Sequence, residues 1–329
     1  MASADQLKAL LRSHVEGDDE RFYSVALQLA AHEARRGHGR LAEELRELVD
    51  VAKRRQGAAR PVPIGRPRGE LAELLSADYP KARLVDMVLD QTLAEQLQRV
   101  IREQRHAGRL LQHGLSPRRK LLLVGPPGTG KTMTASVLAG ELGLPLFLVR
   151  LDGLITKYMG ETAAKLRHVF DATSSVRGVY FFDEFDAIGS QRSSSNDVGE
   201  IRRVLNSFLQ MIEQDRSQSL IVAATNHPDI LDQALLRRFD DVLRYELPDD
   251  ARVADLLKTR LAGFPLGKVD WSSLAQAGKG LNHAEIVRAA EDAVKDALIH
   301  DRDDIGEADI RQMLEERRAM AARLRRNER

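Results

Sequence analysis

Residues 125–132 of this 329-residue chain read Gly-Pro-Pro-Gly-Thr-Gly-Lys-Thr, and they give the strongest indication of its fold. It matches the pattern G-x-x-x-x-G-K-[ST] at every fixed position. An apolar run, residues 121–124, precedes it, and a stretch of helical character, residues 133–142, follows it. A strand, a glycine loop and a helix in this order form a structure that binds phosphate groups. The stretch therefore predicts an α/β domain that binds a nucleotide.

Each part of this loop has a physical reason to be there. Glycines let successive backbone N–H groups turn toward phosphate oxygens, and Lys131 supplies a mobile cation at the β- and γ-phosphates. The Thr132 hydroxyl is a hard oxygen ligand of the kind that Mg²⁺ prefers. We therefore expect ATP and Mg²⁺ to bind at Gly125, Pro126, Pro127, Gly128, Thr129, Gly130, Lys131, Thr132 and Met133.

Short apolar runs alternate with helical stretches from residue 121 onward. Runs that are apolar along their whole length are typical of parallel strands that are covered on both faces. The sequence therefore predicts a parallel sheet with strands over residues 121–124, 146–150, 179–183, 220–224 and 242–246. After Pro248 the apolar residues follow helical spacing, which predicts a helical region.

Polar side chains follow two of the predicted strands, where ligands collect in parallel sheets. Asp183 is placed to hold the Mg²⁺ shell through water, and Glu184 to orient and deprotonate an attacking water. Asn226 is placed to hydrogen-bond either the γ-phosphate or that water. Downstream, Arg237 and Arg238 are either surface salt-bridge donors or arginine fingers for a neighbouring subunit.

The chain divides by composition into five segments. Residues 1–54 have helical periodicity, and residues 55–79 form a basic linker with prolines and glycines that is either a solvated spacer or a tether for polyanions. The predicted α/β domain takes residues 80–247 and a helical domain takes residues 248–312. A polar, basic tail is predicted over residues 313–329.

The composition excludes several classes of protein. Lys and Arg number 50 and Asp and Glu number 49, so a net charge of +1 argues against a polyanion-binding protein as a whole. The absence of cysteine excludes disulfides, thiolate zinc sites and cysteine nucleophiles. No apolar run approaches the roughly 18 residues that a membrane span needs, and the first residues lack a signal pattern. We expect a soluble, cytoplasmic protein without a membrane partner.

These motifs, in this order, resemble the AAA ATPases, the branch of the AAA+ superfamily with FtsH-type, katanin/spastin-type and Vps4-type enzymes. The resemblance covers about residues 80–312, with residues 125–132 similar to Walker A, 179–184 to Walker B and 224–226 to sensor 1. It implies a RecA-like domain with a helical lid, which hydrolyses ATP. Arg237 and Arg238 resemble the paired arginine fingers, although the family usually separates its two arginines by a short insert.

The resemblance also implies a ring, most often of six subunits, and a work cycle on proteins. Lys157, Tyr158 and Met159 resemble the first pore loop, whose aromatic residue grips an extended polypeptide in the central channel. His283 and Ala284 fall where the lid approaches the nucleotide, with His283 in place of the family's glycine. Asp86 and Met87 fall where a segment contacts adenine. Residues 1–54 are expected to select a protein substrate or an adaptor.

Two other functions stay open at this point. The basic linker and the arginine-rich end would suit an ATPase directed by nucleic acid, and a ring of this type can also regulate a separately encoded effector such as a protease. A metalloprotease is not expected, because His32 and Glu33 begin the H-E-x-x-H pattern but Arg36 stands where the second histidine is required.

Overall fold

The computed structural model describes residues 69–150, 159–184, 197–227 and 236–327, together with the single positions 25, 26, 29, 30, 43, 67 and 154. The chain forms two compact units, Met1–Val62 and Pro63–Arg329. In the first unit the described positions are helical, and Ala26 and Ala30 are buried. The predicted helical domain over residues 1–54 otherwise lies outside the described residues.

The second unit is built on a six-stranded sheet, in the order β1-β3-β4-β5-β2-β6. All neighbouring strands are parallel except β1, which runs antiparallel to β3. The strands are β1 (Leu75–Asp78), β2 (Lys120–Val124), β3 (Leu146–Val149), β4 (Val179–Phe182), β5 (Leu220–Thr225) and β6 (Asp241–Arg244). The α/β class and the mostly parallel sheet are therefore confirmed.

Helices cover both faces of this sheet, as the fully apolar strands require. They are α1 (Glu70–Leu74), α2 (Gln91–Arg105), α3 (Ala107–Gln112), α4 (Lys131–Leu142), α5 (Met159–Ser175) and α6 (Asp197–Gln214). Successive residues of a strand point to opposite faces. Leu122 accordingly packs in a core with Phe182 and Phe208, whereas Leu123 packs in a second core with Leu97.

A helical lid follows β6 and has its own core. It consists of α7 (Asp250–Leu261), α8 (Trp271–Gly278), α9 (His283–Ile299) and α10 (Glu307–Asn327). Leu257, Ala290 and Leu314 are fully buried in this core. The helical region predicted after Pro248 is thus confirmed.

The structure differs from the predicted segments at two places. Residues 70–78, predicted as part of the linker, form α1 and the edge strand β1. Leu75–Asp78 contains no apolar run that would predict a strand, and it becomes one by pairing with β3. The predicted tail begins inside α10, whose Leu314 is buried, so the helix continues past residue 312 without a break. Both differences arise from contacts with residues distant in the sequence.

The ends of the strands shift by one or two residues from their predicted positions. β3 and β4 end one residue earlier than predicted, and β6 lies over Asp241–Arg244 instead of residues 242–246. Among the described helices, none combines the length and the apolar character that a bilayer span requires.

Candidate functional site

The phosphate loop connects β2 to α4, and the backbone that continues β6 lies directly beneath it. The Tyr245 backbone N–H donates to the Val124 carbonyl oxygen at 2.7 Å, which extends the β2–β6 pairing by one residue. A Cβ atom at Gly125 would lie only 2.3 Å from the Tyr245 carbonyl oxygen. The first loop position therefore requires glycine because another backbone passes too close for a side chain.

The lid contacts the same loop from the other side. Gly128 has a φ of +74°, and a Cβ atom there would lie 2.6 Å from Cγ of Asn282. The Ala284 backbone N–H donates to the Gly128 carbonyl oxygen at 3.0 Å. Asn282 also caps α9, accepting from the Glu285 N–H at 2.8 Å. The helix cap and the phosphate loop are thus held together.

Lys131, the first residue of α4, is 7% exposed. Its Nζ donates to the carbonyl oxygens of Gly125 at 2.7 Å and Pro126 at 2.8 Å, and to Oδ1 of Asn226 at 2.8 Å. Because a buried ammonium group is stable only when its donors are satisfied, these oxygens hold Lys131 at the mouth of the loop. Asn226 joins Lys131 to the end of β5.

The acidic pair lies at the end of β4, next to the start of α4. Thr132 Oγ1 donates to Asp183 Oδ2 at 2.8 Å. A hydroxyl and a carboxylate both offer the hard oxygen ligands that Mg²⁺ prefers. Since the two oxygens lie close together, these residues fit a Mg²⁺ ion. Glu184 follows with a φ of +50°, and its N–H donates to Asp183 Oδ1 at 3.0 Å. A left-handed backbone conformation is uncommon for residues other than glycine, because it is strained. Strain of this kind is found most often at functional sites.

A cavity of about 440 Å³ joins these groups, a volume that suits a ligand of nucleotide size. Most of the predicted nucleotide contacts line it, including those in the segment before α2 and those at the start of α9. These lining residues are Asp86, Met87, Pro127, Gly128, Thr129, Gly130, Lys131, Thr132, Met133, Asp183, Glu184, Asn226, His283 and Ala284. Gly125 and Pro126 do not line the cavity but supply carbonyl oxygens to Lys131.

Further residues of the site carry no signal in the sequence. Leu256, Thr259 and Arg260 of α7 line the cavity, as do Val88, Leu89 and Val287. Thr134 Oγ1 and Tyr245 Oη lie 2.5 Å apart beneath the loop, and both residues are buried. Burial raises the pKa of the Tyr245 hydroxyl, so this hydroxyl keeps its proton. These contacts depend on how the lid and β6 fold back, which local spacing does not encode.

His283 lies on the lid side of the cavity. Its Nδ1 is buried, and within the described part of the chain this atom has no hydrogen-bond partner. Burial, followed by the positive charge of Arg252, lowers the pKa of the imidazole below its usual value. A neutral imidazole offers one donor and one acceptor nitrogen.

The two predicted arginines lie away from this cavity. Arg237 and Arg238 precede β6, at the end of the sheet opposite the phosphate loop, and Nε of Arg238 lies 3.5 Å from Oε2 of Glu213. Lys157 and Tyr158 lie outside the described residues, as does the Met159 side chain, although Met159 begins α5. The histidines at positions 32 and 38 also lie outside them.

The chain is similar in sequence to a known protein family and to several known proteins. The family described as "ATPase family associated with various cellular activities (AAA)" matches residues 121–247. The chain is similar over nearly its whole length to an uncharacterized AAA family ATPase, y4kL, from Sinorhizobium fredii. The two are 36% identical over 332 residues, which cover 98% of this chain and 99% of that protein.

Two further relatives are longer than this chain. The ATP-dependent zinc metalloprotease FtsH 3 of Sphaerobacter thermophilus is 33% identical over 254 residues, which cover 75% of this chain and 52% of that protein. Protein SAV of Sulfolobus acidocaldarius is 36% identical over 191 residues, which cover 56% of this chain and 24% of that protein. The chain thus spans about half of the first relative and about a quarter of the second.

Proposed function

Because the chain belongs to the AAA family of ATPases, we propose that it works as a homo-oligomeric ring, of six subunits, that remodels or unfolds a protein. The chain is an ATPase. In the ring, each subunit binds the phosphates and activates water, while a neighbouring subunit contributes arginines and a pore loop grips the protein substrate.

In this proposal the loop amides and Lys131 bind the phosphates of ATP. The Lys131 ammonium exchanges its carbonyl and amide acceptors for phosphate oxygens, which costs little because the group is already desolvated and held in place. Thr132 and Asp183 would hold Mg²⁺, which would supply positive charge to neutralise the phosphate oxygens. The hydrogen bond between these two side chains sets their oxygens on one side of the cavity.

Glu184 acts as the general base that takes a proton from the attacking water. Its exposed carboxylate lines the cavity next to Asp183, and its left-handed backbone turns the chain out of β4 at this point. Asn226 orients the water or the γ-phosphate, since its side chain already accepts from Lys131 at the same end of the sheet. A carboxylate within reach of the water contributes about 100-fold or more to such a reaction.

The position of Arg237 and Arg238 is the observation that supports an oligomeric ring. These arginines come before β6, whereas the phosphate loop follows the far end of the neighbouring strand β2. The four-residue length of β6 separates them from the cavity of their own subunit, about 13 Å at the usual rise. An arginine that acts at a γ-phosphate must then serve the site of an adjacent subunit.

Mixed oligomers test this arrangement. Subunits with Lys131→Ala keep their arginines, and subunits with Arg237→Ala and Arg238→Ala keep their nucleotide site. Where the two meet in one direction, an intact arginine pair faces an intact site. We expect the mixture to hydrolyse ATP faster than the sum of its two parts, measured as phosphate release at fixed total protein.

A second mixture is the matched control. Lys131→Ala subunits mixed with Glu184→Gln subunits carry both defects in the nucleotide site itself, so no interface regains a complete site and the rate stays additive. Strictly additive rates in the arginine mixture as well would show that each subunit contains its whole active site, which would refute the intersubunit role.

The work on a protein substrate is tested through Tyr158, on the resemblance of residues 157–159 to a pore loop. We expect an unfolded model protein to stimulate ATP hydrolysis by the wild type but not by Tyr158→Ala, with light scattering showing equal ring mass for both. Stimulation by single-stranded DNA instead would favour a nucleic-acid-directed ATPase. A ring that responds to neither would favour control of a dedicated partner.

A further inference from the structure

A second large cavity lies at the opposite end of β2 from the phosphate loop. Its volume is about 670 Å³, and α2, α3 and the amino ends of β2 and β5 surround it. Lys120 opens β2, and Gly125 follows its last residue, so about 16 Å of extended chain separates the two. This cavity is therefore distinct from the proposed ATP site.

Lys120 lines this cavity and is only 8% exposed. Within the described part of the chain, its ammonium group has no hydrogen bond and no salt bridge. The charges of Asp215 and Asp240 act on this ammonium group, but neither carboxylate forms a salt bridge with it. Asp215 accepts from Arg119, Thr173 and Ser217, while Asp240 Oδ2 accepts from the backbone N–H groups of Arg119 at 2.8 Å and Lys120 at 2.9 Å.

The burial of Lys120 disfavours its charged form. Burial, followed by the charge of Arg119, lowers the pKa of the Lys120 ammonium below its usual value. An ion pair with a carboxylate would offset that cost, because an opposite charge nearby favours the charged form of a lysine. The cavity thus holds a cation that an incoming anion would stabilise.

Two arginines add positive charge at the mouth of the cavity. Arg177 and Arg216 are exposed, and neither forms a salt bridge with a described carboxylate. Arg177 donates to Oε1 of Gln104 at 3.4 Å, and Arg216 to the Glu213 carbonyl oxygen at 3.5 Å, both at the long limit of a hydrogen bond. Their remaining N–H groups are available to a ligand.

The wall formed by α3 and the following turn is apolar. Leu111 is 48% exposed and Leu115 is 58% exposed, and both line the cavity. Leucines beside unpaired cations match a ligand that carries both carboxylates and apolar side chains. A free inorganic anion would leave these leucines uncovered.

We propose that this cavity docks an acidic segment of a partner protein. One carboxylate of the segment pairs with Lys120, others pair with Arg177 and Arg216, and an apolar side chain packs on Leu111 and Leu115. The site adds a binding surface at the end of the sheet away from the phosphate loop, and it does not depend on the proposed threading of a substrate.

Selection from a random peptide library identifies the segment that this cavity prefers, whatever the partner protein is. Phage-displayed peptides are panned on the full chain and counter-selected on Arg177→Ser/Arg216→Ser. We expect enrichment of peptides that combine Asp or Glu with Leu, Ile or Phe. The best peptide, labelled with fluorescein, should bind about tenfold more weakly to the counter-selection variant, as expected for the loss of two partly exposed charge pairs.

Arg99→Ser/Arg109→Ser is the matched control, because it removes the same charge from exposed positions of α2 and α3 that do not line the cavity. We expect it to change the dissociation constant less than about twofold. Lys120→Met, checked for folding by its melting temperature, should weaken binding as well.

Four results would overturn the proposal. They are no enrichment of acidic peptides, equal weakening by the control variant, displacement of the peptide by submillimolar inorganic phosphate, and loss of oligomer mass in Arg177→Ser/Arg216→Ser. The third result would assign the cavity to a free anion, and the fourth would assign it to a contact between subunits.

Discussion

Two buried lysines lie at opposite ends of β2, and their surroundings differ. Lys131 is 7% exposed and Lys120 is 8% exposed, so burial alone does not distinguish them. Nζ of Lys131 donates to three oxygens at 2.7–2.8 Å. The Lys120 ammonium has no such acceptor among the described residues, and its pKa is lowered by burial.

One fold thus prepares a buried cation for a ligand in two different ways. At the carboxyl end of β2 the loop carbonyls and Asn226 compensate the ammonium, so Lys131 is stable and correctly placed before the phosphates arrive. At the amino end the protein leaves the compensation incomplete, so binding of an anion there would also relieve an unfavourable burial. The first arrangement favours precise geometry, and the second favours affinity for an anionic group.

Replacing Lys131 should have the largest effect. Lys131→Met removes the cation from the phosphate loop, and we expect ATP hydrolysis to fall on the order of 1000-fold, the upper range for a lost electrostatic contact in an active site. Phosphate release measures this loss. Lys268→Met, an exposed lysine of the lid, is the control. Activity within tenfold of the wild type would mean that Lys131 is not the principal phosphate contact.

Glu184→Gln should separate binding from turnover at the same end of the strand. The carboxamide cannot take a proton from water, so hydrolysis should fall on the order of 100-fold while the affinity for ATP is kept. Single-turnover kinetics and binding of a fluorescent ATP analogue measure the two quantities. Glu95→Gln, an exposed residue of α2, controls for the loss of charge. Turnover at the wild-type rate would contradict the role of Glu184 as a base.

The support beneath the phosphate loop can be measured by a double-mutant cycle. Thr134→Val leaves the buried Tyr245 hydroxyl without its 2.5 Å partner, which should lower the free energy of unfolding by about 1–3 kcal/mol. Tyr245→Phe should cost less, because the Thr134 hydroxyl still donates to the Gly130 carbonyl oxygen at 3.2 Å. The double variant should lose less than the sum of the two, because both remove the same bond. Urea unfolding measures these values, with the partly exposed Tyr79→Phe as the control. Additive losses would show that this hydrogen bond contributes nothing.

The smallest expected effect is the pH dependence of stability at Lys120. Because its pKa is lower in the folded chain than in the unfolded chain, the unfolded chain binds more protons in the window between the two values. Stability of the wild type therefore gains from deprotonation of this group as the pH rises through that window. Lys120→Met lacks this gain. Near neutral pH we expect the variant to be more stable than the wild type by about 1 kcal/mol or less. This difference should become smaller as the pH rises toward the usual lysine pKa.

Urea unfolding near neutral pH and again near the usual lysine pKa gives this difference directly, and Lys268→Met serves as the exposed control. A difference between wild type and Lys120→Met that stays constant across that range would show that Lys120 keeps its usual pKa in the folded chain. The comparison of the two lysines would then no longer hold.

Local sequence patterns were sufficient to predict the strand–loop–helix at residues 121–142, the carboxylates after β4 and the family. These features are local, because backbone amides, glycines and a lysine at fixed spacing form a phosphate loop wherever a strand and a helix flank them. The predicted site residues at Asp86 and at His283 came only from resemblance, and the structure brings both to the cavity.

The remaining features depend on contacts between residues that are far apart in the chain. β1 joins the sheet by pairing with β3. Tyr245 lies beneath the phosphate loop because β6 lies beside β2. Asn282 contacts Gly128 because the lid folds back onto the loop. The contrast between Lys120 and Lys131 likewise depends on which distant oxygens reach each ammonium. Local spacing specifies what a segment can form, whereas the partners of a buried polar group are fixed by packing between residues far apart in the chain.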